Sequence, residues 1–176
     1  MACATIIATF VFGSPTARAQ AIDPNDIIRQ IVPSQAGETV VKLKSTNALI
    51  VPPDQMIPAI FDFPKAIVAV SFYDESHLLT TDGMLTLRGI AEALTDPRMQ
   101  GQVFQLGGFV VSTNDPVGAV RLSARRAQVA ANHLTTFYGV AAARVTPVGY
   151  GVPSTPNAVT AGVGNTQIQL INLLAN

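Results

Sequence analysis

The run from Val103 to Gly139 constrains this chain most, because it reads as a strand, a glycine-bearing loop and a long helix in direct succession. Val103 to Val110 is a short apolar stretch that holds the Gly107-Gly108 pair, and Ser112 to Asp115 is polar. From Pro116 onward, Val120, Ala127, Ala130, Ala131, Leu134 and Phe137 recur at three- and four-residue spacing. That spacing predicts one apolar face on a helix that runs to about Tyr138, where Gly139 supplies the stop signal.

Similar patterns flank this run. Ala66 to Phe72 reads as a buried strand, and a polar turn through Tyr73-Asp74-Glu75-Ser76 follows. Thr81 or Asp82 is the expected cap of a helix whose apolar positions are Met84, Leu87, Ile90, Ala91 and Leu94, and Asp96-Pro97 breaks it. Arg144 to Val148 gives a third strand. Thr166 to Leu173 gives a fourth, with Ile168, Leu170 and Asn172 on one face, and a loop from Pro153 to Gly164 lies between the two. The order βαβαββ implies an α+β sandwich, a mixed four-stranded sheet with helices on one face. Nothing repeats at a fixed period, which excludes a solenoid or propeller.

Ahead of this domain, 65–176, lies a region of mixed pattern over 22–64. Asp23-Pro24-Asn25-Asp26 caps a short predicted helix over Ile27 to Ile31, which Pro33 ends, and Thr39 to Leu43 alternates like a strand. Pro52-Pro53 and Pro58 to Pro64 then make an irregular connection, either an N-terminal arm packed on the domain or a linker. Residues 1–21 carry an apolar stretch from Ala4 to Gly13 followed by Ala17-Arg18-Ala19-Gln20-Ala21, the small-residue pattern of a signal peptide. That apolar stretch is too short to span a bilayer, and no other stretch reaches the roughly 18 to 20 residues needed. An exported chain with no transmembrane span in its mature form is therefore expected. Cys3 is the sole cysteine and has only Met1 and Ala2 before it, which suits neither a disulfide nor a lipid anchor.

Charged residues make up 12 % of the chain and the formal net charge is zero, so there is no broad basic surface for nucleic acid or anionic lipid. His77 and His133 have no cysteine or carboxylate cluster at ligand spacing, which argues against a metal site. Asp74, Ser76 and His77 are neighbours in sequence, which does not create triad geometry, and the Gly-x-Ser-x-Gly elbow is missing. The glycines at 107–108 and 149–151 match no phosphate loop. These features predict a chain that is not an enzyme and holds no cofactor.

Within the run from Val103 to Gly139, Leu122-Ser123-Ala124-Arg125-Arg126-Ala127 resembles the Leu-Ser-x-x-Arg-Ala block of the OmpA-like, peptidoglycan-associating domain family of Gram-negative bacteria. Ser76-His77-Leu78-Leu79-Thr80 is similar to the family's Ser-x-x-Leu-Thr approach to its first helix, and Val148-Gly149-Tyr150-Gly151 to its Gly-Tyr-Gly turn. Asn165-Thr166-Gln167-Ile168-Gln169-Leu170 stands where the family has Asn-Arg-Arg-Val-Glu-Ile. The resemblance spans roughly Ala66 to Leu173. It puts Gly108 on the glycine of the family's Gly-His-Thr-Asp motif, Phe109 on its His, Val110 on its Thr, Val111 on its Asp and Ala119 on the Asn of the following helix.

The resemblance implies that Arg126 corresponds to the family's ligand Arg, which together with the motif Asp holds the zwitterionic end of diaminopimelate in the peptidoglycan stem peptide. An Arg fork suits a carboxylate. Val111 cannot accept a hydrogen bond from the ligand's ammonium group, which would be desolvated without a partner. Asp115 and Asn114, on the loop from Ser112 to Asp115, are the candidate substitutes, and Asn165 is the one polar residue kept at the start of the last strand. Asp115 also suits the N-cap of the helix that Pro116 opens. The resemblance thus implies a periplasmic or outer-membrane-associated protein, in one of two forms. In the first, a degenerate domain acts as a scaffold or protein-interaction module among envelope proteins, with peptidoglycan binding weak or lost. In the other, a working tether recognises peptidoglycan through Arg126 and the 112–115 loop.

Overall fold

A computed structural model of the chain describes residues 22–32, 49–50, 63–110, 115–152 and 166–173, with the backbone alone at 49–50. Among these residues the order is α1 (Pro24–Ile31), β1 (Leu49–Ile50), β2 (Lys65–Val70), α2 (Thr81–Thr95), β3 (Phe104–Val110), α3 (Pro116–Tyr138), β4 (Val145–Gly151) and β5 (Thr166–Asn172). The sheet order is β1-β4-β3-β5-β2. β4 runs parallel to β3 and β1, while β5 is antiparallel to both β3 and β2. The expected mixed sheet of four long strands is thus present, and a two-residue strand from the 22–64 region extends it beyond β4.

Among the described residues, one side of the sheet carries α1, α2 and α3. Ile27, Ile28 and Ile31 of α1 share a buried cluster with Leu87, Ile90 and Leu94 of α2, Ala130 and Leu134 of α3, and Val68, Leu106, Ile168 and Leu170 of the strands. α1 forms where Asp23 accepts from Asn25 N–H at 2.9 Å and Pro24 opens the first turn. Asn172 at the end of β5 donates to the carbonyl of Ile31 at 3.0 Å, a bond from sheet to α1.

α2 is capped one residue earlier than the sequence suggests. Thr80, not Thr81 or Asp82, accepts from Gly83 N–H at 3.0 Å and also donates to Ser71 O at 3.1 Å. Two helical positions assigned to the core lie outside it: Met84 is 43 % exposed and Phe137 is 69 % exposed. The third strand continues past Val148 to Gly151, and the alternation at 39–43 lies outside the described residues. Gly139 ends α3 with φ 69°, the left-handed cap expected there.

α3 lies unusually near β3 and β4, and glycines permit it. A Cβ on Gly108 would come within 2.5 Å of the Ser123 carbonyl oxygen, and one on Gly149 within 2.4 Å of the Ala124 nitrogen. Ser123 Oγ adds a polar tie by accepting from Gly151 N–H at 2.8 Å. The motif glycine, the Ser of Leu-Ser-x-x-Arg and the glycines around Tyr150 therefore act together to seat the helix.

Candidate functional site

Arg126 lies on the third turn of α3, level with the start of β5, and only 2 % of it is exposed. Its Nε donates to Ser76 O at 2.7 Å, one terminal nitrogen to Thr166 Oγ1 at 2.6 Å and the other to Tyr73 O at 3.3 Å. The guanidinium also lies over the Phe72 ring, 5.1 Å from its centroid. Burial pushes its pKa below the ordinary value, and the Asp74 carboxylate offsets part of that shift. An arginine remains charged through such a shift.

The fork that the sequence offers for a ligand carboxylate is thus directed at three internal acceptors. Two of them are carbonyls of the turn between β2 and α2, which also contains a Tyr73 N–H bond to Leu78 O at 2.9 Å and a Leu78 N–H bond to Ser76 Oγ at 3.0 Å. The turn presents Tyr73, 59 % exposed, and Leu78, 60 % exposed, to solvent. Arg126 fastens this turn to β5 and α3.

Among the other predicted site residues, the structure describes Asp115 alone. Asp115 is the exposed N-cap residue of α3, eleven residues before Arg126, a rise of about 16 Å along a helix axis. Its side chain makes no capping hydrogen bond, and its carboxylate lies over Gly118, where a Cβ would come within 2.3 Å of Oδ2. Asn114 and Asn165 lie outside the described residues, as does Val111. Thr166, next to Asn165, is the polar partner that sequence reasoning missed; it stands where the family strand has Arg, and that replacement was its only signal.

At the remaining motif positions the apolar side chains are packed. Phe109, Val110 and Ala119 are 4 %, 3 % and 2 % exposed. Phe109 stacks on Tyr150 with ring centroids 5.0 Å apart. Among the described residues, no group of three or more His, Cys, Asp or Glu could hold a metal ion, and no helix is long and apolar enough to cross a membrane.

A family model, the OmpA family, matches residues 71–168, more than half of the chain. The periplasmic domain of MotB from Helicobacter pylori shares the fold with a TM-score of 0.51 at 18 % identity, covering 64 % of this chain and 74 % of that one. The OmpA-like domain of FopA1 from Francisella tularensis subsp. tularensis SCHU S4 gives 0.49 at 13 % identity, over 64 % of this chain and 75 % of that one. An outer membrane protein from Borrelia burgdorferi B31 gives 0.48 at 15 % identity, over 64 % and 88 %. No curated protein matches the chain.

Proposed function

The chain belongs to the OmpA family, and on that premise we propose that it is a non-enzymatic cell-envelope protein whose domain acts as a scaffold or protein-interaction module, with peptidoglycan binding weak or lost. The observation that carries this reading is the engagement of Arg126 by Ser76, Tyr73 and Thr166. A ligand carboxylate would have to displace bonds that already satisfy a buried charge. Breaking buried charge-assisted hydrogen bonds costs about 1.5–3 kcal/mol each, and the ligand's ammonium group gains no partner from Val111 in return.

The exposed Tyr73 and Leu78 support the interaction half of the proposal, since Arg126 holds by its carbonyls the turn that displays them. Aromatic and aliphatic side chains on a rigid turn suit a protein contact. Family membership, with the likeness to the periplasmic domain of MotB, supports a periplasmic or outer-membrane-associated address.

Titration of a diaminopimelate-containing muropeptide, followed by the NMR signals of the Arg126 Nε–H and the Ser76 and Thr166 amides, tests the ligand half. The proposal expects no saturable shift at these positions. A saturable shift centred on Arg126 Nε–H would restore the tether reading.

A further inference from the structure

The turn that Arg126 fastens is a small hairpin with two unlike sides. Phe72 pairs with Leu79 as an isolated antiparallel bridge, and both side chains are buried. Tyr73 and Leu78 are the next pair, joined by the Tyr73 N–H bond to Leu78 O, so strand alternation turns both outward on one face. Both are exposed. The tip is closed by a Ser76 N–H bond to Tyr73 O at 3.1 Å and carries Glu75 at φ 51°, in the left-handed region that a glutamate adopts only at a cost. Arg126 and the Leu78 N–H bond to Ser76 Oγ hold it in that form. A surface fixed in this way incurs little of the ordering cost that a mobile loop meets on binding.

The charge around the exposed pair has one sign. No lysine or arginine occurs from Ala66 to Leu87, a stretch that contains Asp74, Glu75 and Asp82. Asp74 faces the buried Arg126. Glu75 and Asp82 are exposed and form no ion pair among the described residues. Leu85, also exposed, follows Asp82 by one turn of α2, so acidic and apolar groups alternate from the hairpin onto the helix.

Carboxylates set among exposed apolar groups repel anionic lipid and nucleic acid. An arginine complements them in two ways, since its guanidinium stacks on an aromatic ring while its fork meets a carboxylate, a combination for which the compact ammonium of lysine is less suited. A second copy of this chain is a poor occupant. Its Arg29, Arg88 and Arg98 pair with Asp26, Glu92 and Asp96, and the exposed Arg121 and Arg125 have no exposed large apolar side chain between them. Building on the interaction role proposed above, we propose that the face formed by Tyr73, Glu75, Leu78 and Asp82 docks an arginine-bearing segment of another envelope protein. The guanidinium lies on the Tyr73 ring beside Glu75 or Asp82, and an adjacent apolar side chain of the segment meets Leu78.

Titration of the full chain with the peptide acetyl-Gly-Arg-Leu-Arg-Leu-Gly-amide, read from backbone amide NMR shifts, tests this beside the analogues with lysine or glutamate in place of arginine. Saturable shifts centred on Tyr73, Glu75, Leu78 and Asp82 are expected with the arginine peptide. The lysine peptide should bind about two- to fivefold more weakly, and the glutamate peptide should give no shift. The double variant Glu75→Gln/Asp82→Asn, which alters exposed side chains alone, should weaken the arginine peptide about five- to tenfold. Absence of saturable shifts, shifts centred elsewhere, or equal affinity for the glutamate peptide would overturn the proposal. So would binding of phosphatidylglycerol vesicles at these residues, or self-association of the chain abolished by Glu75→Arg, which would give the face to lipid or to a second copy. A muropeptide that shifts Arg126 Nε–H would overturn the scaffold reading instead, whatever the arginine peptide does.

Discussion

A guanidinium carries its donors in a rigid plane, so the acceptors that meet it determine what it can hold. Arg126 meets Ser76 O, Tyr73 O and Thr166 Oγ1, and removing it takes a charged donor from all three, although Tyr73 O keeps its bond from Ser76 N–H at 3.1 Å. Arg126→Ala should therefore lower the unfolding free energy by about 2–4 kcal/mol, read by urea denaturation; a change within 0.5 kcal/mol would show that the clamp is not structural. Leu-Ser-x-x-Arg marked this arginine in the sequence, but not its partners. Backbone carbonyls have no sequence signature, and Thr166 is 40 positions away. His133 gives a prediction in pH. Packed against the Phe137 and Tyr138 rings, its imidazole is pushed by burial below the ordinary value of 6.5. The unfolded chain then takes up the proton more readily, so the stability His133 confers is complete above pH 6.5 and declines as pH falls below it. His133→Gln should flatten that part of the stability profile.

Among the elements, the fit of α3 on β3 and β4 is the tightest packing and the most sensitive to substitution. Gly108→Ala and Gly149→Ala each place a methyl against helix backbone at 2.5 Å and 2.4 Å, and each should destabilise by about 1–3 kcal/mol or more. Circular dichroism melts would show it, and an unchanged melting point would refute the close approach. Thr80→Ala should cost about 1 kcal/mol through loss of the α2 cap. Helical spacing located α2 and α3 in the sequence, yet it specifies a face without saying how far the neighbouring layer reaches. Met84 in the first turn of α2 and Phe137 in the last turn of α3 keep the spacing and remain exposed. β1 was not legible at all, since two residues carry no periodicity and its pairing with β4 is made across some hundred positions.

At the scale of the whole molecule, βαβαββ order and scattered motifs were enough to indicate an OmpA-like sandwich, and the matched family agrees. Function was less legible, because the loss of polar residues at Phe109, Val110, Val111 and Ala119 is compatible with an empty pocket or a filled one. The packing of Val110 and Ala119, together with the internal engagement of Arg126, favours a filled one. Restoring one carboxylate separates the two, since it would revive an empty pocket and do nothing for a filled one. The direct measurement is co-sedimentation of the full chain with diaminopimelate-type peptidoglycan at low salt, beside a Val111→Asp variant. The account predicts that both remain in the supernatant; retention of the native chain, or retention gained by Val111→Asp, would contradict it.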